Sequence, residues 1–255
     1  MKPQRWIVLP DMQVPYEDQK TMKAVEQYIA DQRFDGLVNL GDFMDLNCIS
    51  HWNEGRPGDT EMMRLEDDWA VGNSILDRQQ KILRSKNKDA RYVLIEGNHE
   101  FRAKDMMARL PALKGSLDVE KNLHLAERGV EWVPYWSNKR KIFTLGKANF
   151  CHGLFTNQYH AAKMVTRFGR NIYYGHTHDV QEHSLAHLGD NHTIVGKSLG
   201  TLCRYDQQYL KGAPTNWQQA FAVFDFFEDG TYTEHTVRIF NHRFKMDGKV
   251  YDGRK

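Results

Sequence analysis

The sequence predicts an α/β fold in which two packed sheets are flanked by outer helices. Three observations predict it. Short apolar runs of strand length recur along the front of the chain. Helical periodicity separates the first three of them, as in βαβ units. Behind residue 178 the pattern becomes that of a hairpin, so antiparallel strand must be added to a parallel front half.

The first run, Trp6–Leu9, is a strand, and Lys20–Ala30 reads as the helix that returns the chain to Leu37–Leu40. A longer helix is expected over Glu61–Leu83, where Met62, Leu65, Trp69, Leu76 and Leu83 recur at roughly helical spacing. Tyr92–Ile95, Ala148–Cys151 and Ile172–Tyr174 follow as strands. These runs are apolar throughout, which suits strands buried on both faces. Phe221–Phe227 and Thr231–Ile239 flank Glu228-Asp229-Gly230 as a hairpin. The residues after Asp179 are expected to complete the second sheet. No repeat or Pro/Gly/Ser-rich linker interrupts residues 1–255, so one domain is expected.

Composition narrows the classes. With 40% hydrophobic and 27% charged residues the chain can bury a core, and disorder is excluded. A formal charge of +2 gives no whole-chain attraction to nucleic acid. Cys48, Cys151 and Cys203 form no CxxC pair, which argues against a disulfide scaffold or zinc knuckle and fits a reducing compartment. The apolar stretch Trp6 to Pro10 is too short for a signal peptide, and no run approaches membrane-spanning length. A cytoplasmic protein without a membrane partner is expected; the oligomeric state is unspecified.

One regularity carries the chemistry. Each front-half run is followed at once by a short polar string: Asp11-Met12-Gln13, Gly41-Asp42-Phe43-Met44-Asp45, Gly97-Asn98-His99-Glu100, His152-Gly153 and Gly175-His176-Thr177-His178. Ligands of α/β sheets gather at the carboxyl edge of the strands, so these strings are expected to converge there. Pooled, they offer carboxylates, amide carbonyls and imidazoles, a mixed set that suits Mn, Fe or Zn better than an all-oxygen calcium or magnesium cage. There are too many donors for one tetrahedral ion and a natural number for two. Asp42 is the best shared carboxylate, because Gly41 lets the backbone turn sharply before it. Glycines 41, 97, 153 and 175 fall where backbone must bend beside the ions. Two ions about 3.5–4 Å apart can activate a water and clamp a phosphoryl group.

These strings resemble those of the calcineurin-like metallophosphoesterases, whose motifs run Asp-x-His, Gly-Asp-x-x-Asp, Gly-Asn-His-Glu/Asp, a lone His, then Gly-His-x-His. The resemblance spans roughly Trp6 to Asp179. It implies a four-layer α/β/β/α sandwich of two mixed sheets, and two divalent metal ions, Mn first with Fe or Zn as alternatives. Metal one would be held by Asp11, Asp42 and His178, and metal two by Asp42, Asn98, His152 and His176. His99 would protonate the leaving oxygen, a role imidazole suits near neutral pH, with Asp45 orienting it. Gln13 stands where the family usually has His, a substitution similar to that of phage-encoded members. Its amide either ligates metal one, favouring Mn²⁺, or hydrogen-bonds a metal-bound water; both readings stay open.

The substrate is less legible. Ser/Thr protein phosphatases of the superfamily place an Arg where this chain has Leu46, and Gly-His-Thr-His is more typical of phosphodiesterase and nuclease branches. The resemblance therefore points to a phosphodiesterase acting on a nucleotide or nucleic acid through a metal-bridging hydroxide and His99. A nucleotide phosphomonoesterase is the alternative, and a non-catalytic metal-binding scaffold a further one.

Other residues have two readings. His160 could face substrate, but packing on a helix suits it better. Arg102 could reach a phosphate or make an ordinary salt bridge. His51 and Trp52 could line the pocket mouth or pack a loop. The basic stretch Arg78 to Arg91 could follow a nucleic-acid backbone, though a solvated helix end is favoured. His124, His183, His187, His192, His235 and His242 show no ligand spacing.

Overall fold

The computed structural model of the protein describes residues 1–55, 57–135, 142–186, 192–207 and 210–255; His187 lies outside the described residues. The front half runs β1 (Gln4–Leu9), α1 (Gln19–Asp31), β2 (Gly36–Asn39), a helical turn α2 (Pro57–Thr60), α3 (Leu65–Lys86), β3 (Arg91–Ile95), α4 (Asn98–Arg109), a short α5 (Val119–Asn122) and β4 (Val130–Val133). Next come β5 (Phe143–Leu145), β6 (Ala148–Cys151), α6 (His160–Phe168), β7 (Ile172–Tyr174), β8 (Glu182–Ala186) and β9 (Thr193–Ser198). The chain closes with β10 (Ala220–Phe226), β11 (Tyr232–Arg238), β12 (Arg243–Met246) and β13 (Lys249–Asp252).

Two mixed sheets result. The first has six strands in the order β11-β10-β1-β2-β3-β4, parallel from β1 to β4 and antiparallel at β10 and β11. The second has five in the order β5-β6-β7-β9-β8, parallel in the middle and antiparallel at both ends.

Side-chain alternation explains why the runs are apolar throughout. Trp6 and Val8 of β1 pack between the sheets with Phe150, Tyr173 and Phe224. Their neighbours Ile7 and Leu9 turn to the other face, against Tyr28 of α1 and Leu76 of α3. In the second sheet Phe150 faces inward while Cys151, Ile172 and Tyr174 pack outward with Met164 of α6. Helices, sheet, sheet and helix therefore form the expected four-layer α/β/β/α sandwich. No helix among the described residues is long and apolar enough to cross a membrane.

Two expectations need correction. The long helix begins at Leu65, not Glu61, and runs on to Lys86. Met62 is outside it and 86% exposed, while Glu66, Asp67 and Asp68 occupy the first turn, where acidic groups favour the helix dipole. The residues after Asp179 also do not all serve the second sheet. β8 and β9 join it, whereas the hairpin of β10 and β11 extends the first sheet beyond β1.

Gly36 opens β2 opposite Trp6, and a Cβ there would lie 2.3 Å from the indole ring. Gly36→Ala is therefore expected to cost about 1–3 kcal/mol through overpacking. Urea denaturation measures it; an unchanged midpoint would show that the ring can move aside.

Candidate metal centre

All five polar strings sit at carboxyl ends of parallel strands, three on the first sheet (β1, β2, β3) and two on the second (β6, β7). The two sheets thus meet at one end of the sandwich. Asp42, His152 and His176 offer ligand atoms all within 4.8 Å of one another, and so do Asp11, Asp42 and His178. Asp42 belongs to both groups, as a shared carboxylate must. Asn98 Oδ1 lies 2.9 Å from His152 Nε2, which places it in the first group.

Backbone strain is concentrated here. Asp11, Gln13, Asp42, His176 and His178 all have φ between 36° and 71°, a left-handed region that non-glycine residues enter at a cost of about 1–3 kcal/mol each. Gly41 and Gly153 also have positive φ, as turns beside the site require. Gly97 and Gly175 are needed for space instead. A Cβ on Gly97 would lie 2.1 Å from Asp42 Oδ1, and one on Gly175 1.9 Å from Asp11 Oδ2.

Neighbouring strings fix the donors. The backbone N–H of His176 donates to both Asp11 oxygens at 2.9 and 3.0 Å, and that of His99 to Asp42 Oδ1 at 2.9 Å. His152 Nδ1–H donates to the Leu40 carbonyl at 3.0 Å, which turns Nε2 toward Asn98 Oδ1 at 2.9 Å and Asp42 Oδ2 at 3.2 Å. Glu100, fully buried, accepts from the N–H groups of Asp42, Met44 and Gly97 at 3.0, 2.7 and 2.8 Å. It ties the Asp42 loop to the start of α4. Its place in the Gly97–Glu100 string was the only sequence signal for this. Glu100→Gln would put an amide N–H₂ among three donors and is expected to cost about 1–3 kcal/mol in urea unfolding. A variant as stable as the parent would contradict that role.

Electrostatics bear on whether cations fit. Asp11 and Asp42 are 0% and 1% exposed, and two carboxylates so buried are costly without positive charge. Burial pushes the Asp42 carboxyl up, but the imidazoles of His152 and His99 outweigh it and hold it well below the usual carboxylate range. Burial alone would push His152 down, yet Asp42 lifts it to about 9. Burial and the neighbouring His152 push His176 down to about 3; a cation would take the place of the proton that Asp42 holds on His152. The donor set therefore fits two divalent cations.

Gln13 is in the cluster, with Nε2 3.3 Å from His178 Nε2. Its Oε1 accepts from Gln207 Nε2 at 2.6 Å. A ligating oxygen would require both amides to turn over, so Gln207 is a partner that sequence reasoning missed. No periodicity or motif marks its loop.

His99 stands at the rim. Its Nδ1 is 3.4 Å from Asp45 Oδ2, and Arg102 reaches both Asp45 (2.7 Å to the carbonyl oxygen) and His99 Nε2 (3.0 Å). Past it opens a cavity of about 710 Å³ lined in part by Asp45, Asn98, His99, Arg102 and Trp52. His160 is elsewhere and structural, buried on α6 between Tyr174 (2.7 Å) and Asp179 (3.1 Å). In the basic stretch Arg78 pairs with Glu26, Arg91 with Glu131, and Arg84 donates to the Arg128 carbonyl, in keeping with a helix end.

Comparison with known proteins places the chain among relatives. A family model for calcineurin-like phosphoesterases matches residues 5–195. The chain is 30% identical to the Gene 54 protein of Mycobacterium phage L5, over 97% of this chain and 98% of that protein. The Gene 54 protein of Mycobacterium phage D29 is 29% identical over the same shares. Wild-type Vps29 complexed with Zn+2 from Entamoeba histolytica aligns over 98% of this chain and 99% of its own, at 10% identity and a TM-score of 0.48.

Proposed function

The chain belongs to the calcineurin-like phosphoesterase family, and we propose that it is a dinuclear phosphodiesterase acting on a nucleotide or nucleic acid. One observation supports this reading: two groups of candidate donors share Asp42, with His99 and Asp45 at their rim. Asp11, Asp42 and His178, with Gln13 beside them, would hold one cation. Asp42, Asn98, His152 and His176 would hold the other. Two divalent cations, Mn²⁺ first and Fe or Zn as alternatives, would supply an activated water and neutralise the phosphoryl oxygens.

The chain's own groups do the rest. His99 Nε2 delivers a proton to the departing oxygen. Asp45 Oδ2, 3.4 Å from Nδ1, faces the other side of the ring and would orient it. Arg102 must release Nε2 to the leaving oxygen as substrate enters, because its N–H occupies that nitrogen now. The diester preference is supported by Leu46, which is fully buried and offers no charge to a dianionic terminal phosphate. Arg102, the nearby cation, is committed to Asp45. Three free cysteines accord with a reducing, cytoplasmic setting.

Hydrolysis of bis-p-nitrophenyl phosphate and p-nitrophenyl phosphate with Mn²⁺ tests the reading. The diester is expected to be the better substrate. Monoester-only turnover would make the protein a phosphomonoesterase, and no turnover of either would favour a scaffold.

A further inference from the structure

The cavity beyond His99 has a chemistry that the metal site does not use. An acid must lie on the leaving-group side of the phosphorus, opposite the attacking water, so whatever departs with the proton occupies this cavity. Its wall is built from two short helical turns, Asn47–Ile49 and His51–Asn53, launched by Leu46 in the left-handed conformation at φ 54°. Those turns carry Trp52 at the rim, 76% exposed. A large aromatic ring left so open gains little from the core; the His51 ring lies against it, tilted by 38° with ring centroids 4.4 Å apart. Two carboxamides stand beside it. Asn53 Nδ2 donates to the Asn47 carbonyl at 2.7 Å and to Asn47 Oδ1 at 3.1 Å, which fixes both side chains in the wall. Lys211 lines the cavity and makes no ion pair among the described residues.

A flat aromatic face, a fixed amide pair and a lysine beside a phosphoester site suit one ligand class. Nucleobases stack on exposed aromatic rings, and amides pair with their edges. Resting on the phosphodiesterase reading above, we propose that the leaving group is a nucleoside whose base stacks on Trp52, making Trp52 a specificity-determining residue. Asn53 Oδ1 then faces the base edge, since Asn53 Nδ2 and both polar atoms of the Asn47 amide are engaged with their neighbours, and Lys211 lines the same cavity. The volume of about 710 Å³ is ample for one nucleoside.

The test uses the Mn²⁺-loaded full chain and four diesters: bis-p-nitrophenyl phosphate, dithymidine monophosphate, and the latter with an abasic sugar at either end. Trp52→Ala is expected to lower kcat/KM on dithymidine monophosphate about 10-fold, within the range for one lost base stack. The same loss should remain when the non-leaving base is removed and disappear when the leaving base is removed. Trp52→Phe should retain most of the rate. An equal fall on all four diesters, or none, would overturn the assignment while leaving the phosphodiesterase reading intact. If the wild-type protein hydrolyses none of them, that reading fails separately. Equilibrium binding of dithymidine monophosphate then decides: an unchanged Kd in Trp52→Ala, or no binding by the wild type, overturns the stacking role.

Discussion

His99→Ala is expected to lower kcat about 10²- to 10⁴-fold on diesters with alkoxide leaving groups, while bis-p-nitrophenyl phosphate loses far less. The asymmetry follows from the chemistry of departure. A sugar alkoxide needs the proton that His99 supplies, whereas p-nitrophenolate leaves without one. Metal content should be unchanged, because the contact from residue 99 to Asp42 Oδ1 comes from its backbone N–H, which alanine retains. The measurement is a pair of kcat values, on dithymidine monophosphate and on the nitrophenyl diester, with metal analysis alongside. Equal losses on both substrates would remove His99 from proton transfer. Loss of metal in the variant would instead make it a structural support of Asp42.

Asp42→Asn should be the most damaging single change at the site. The asparagine keeps the shape but removes the charge that both donor groups share. Disturbing partners outside the ligand sphere already weakens metal affinity about 10- to 100-fold. Losing the shared carboxylate should exceed the upper figure and take diester turnover below detection. Calorimetric titration with Mn²⁺ reads the affinity directly. A variant that still binds two ions tightly would show that Asp42 is not shared. Folding should survive, since Glu100 holds the loop through the backbone N–H groups of residues 42 and 44.

Much of this architecture was legible because of where the strands lie. Strands β1, β2, β3, β6 and β7 are buried on both faces, so each announces itself as a continuous apolar run. The polar strings stand out because each begins where such a run ends. Edge strand β8 gives no such signal, having four exposed residues and one partly exposed, and its pairing with β9 comes from the fold around it. The candidate donors were readable from their strings; Asp11, Asp42, His152, His176 and His178 lie together, Asn98 beside His152, and Gln13 beside His178 with its oxygen turned to Gln207. Gln207 was not, because it meets Gln13 across 194 residues from a loop without periodicity. Trp52 was visible as a residue but not as a surface, since sequence does not tell a packed loop tryptophan from an open one. The hairpin of β10 and β11 was recognised locally, yet its sheet was not. Turn chemistry fixes which strands pair with each other but not which edge they extend.

Asp11, Asp42, Asn98, His152, His176 and His178 are proposed to form one centre for two cations. Equilibrium dialysis of the full chain against Mn²⁺, with bound metal counted by elemental analysis, reads the stoichiometry. Two ions per wild-type chain, falling to one or fewer in Asp42→Asn, is the predicted result. A wild-type chain that saturates at one ion or none would contradict it.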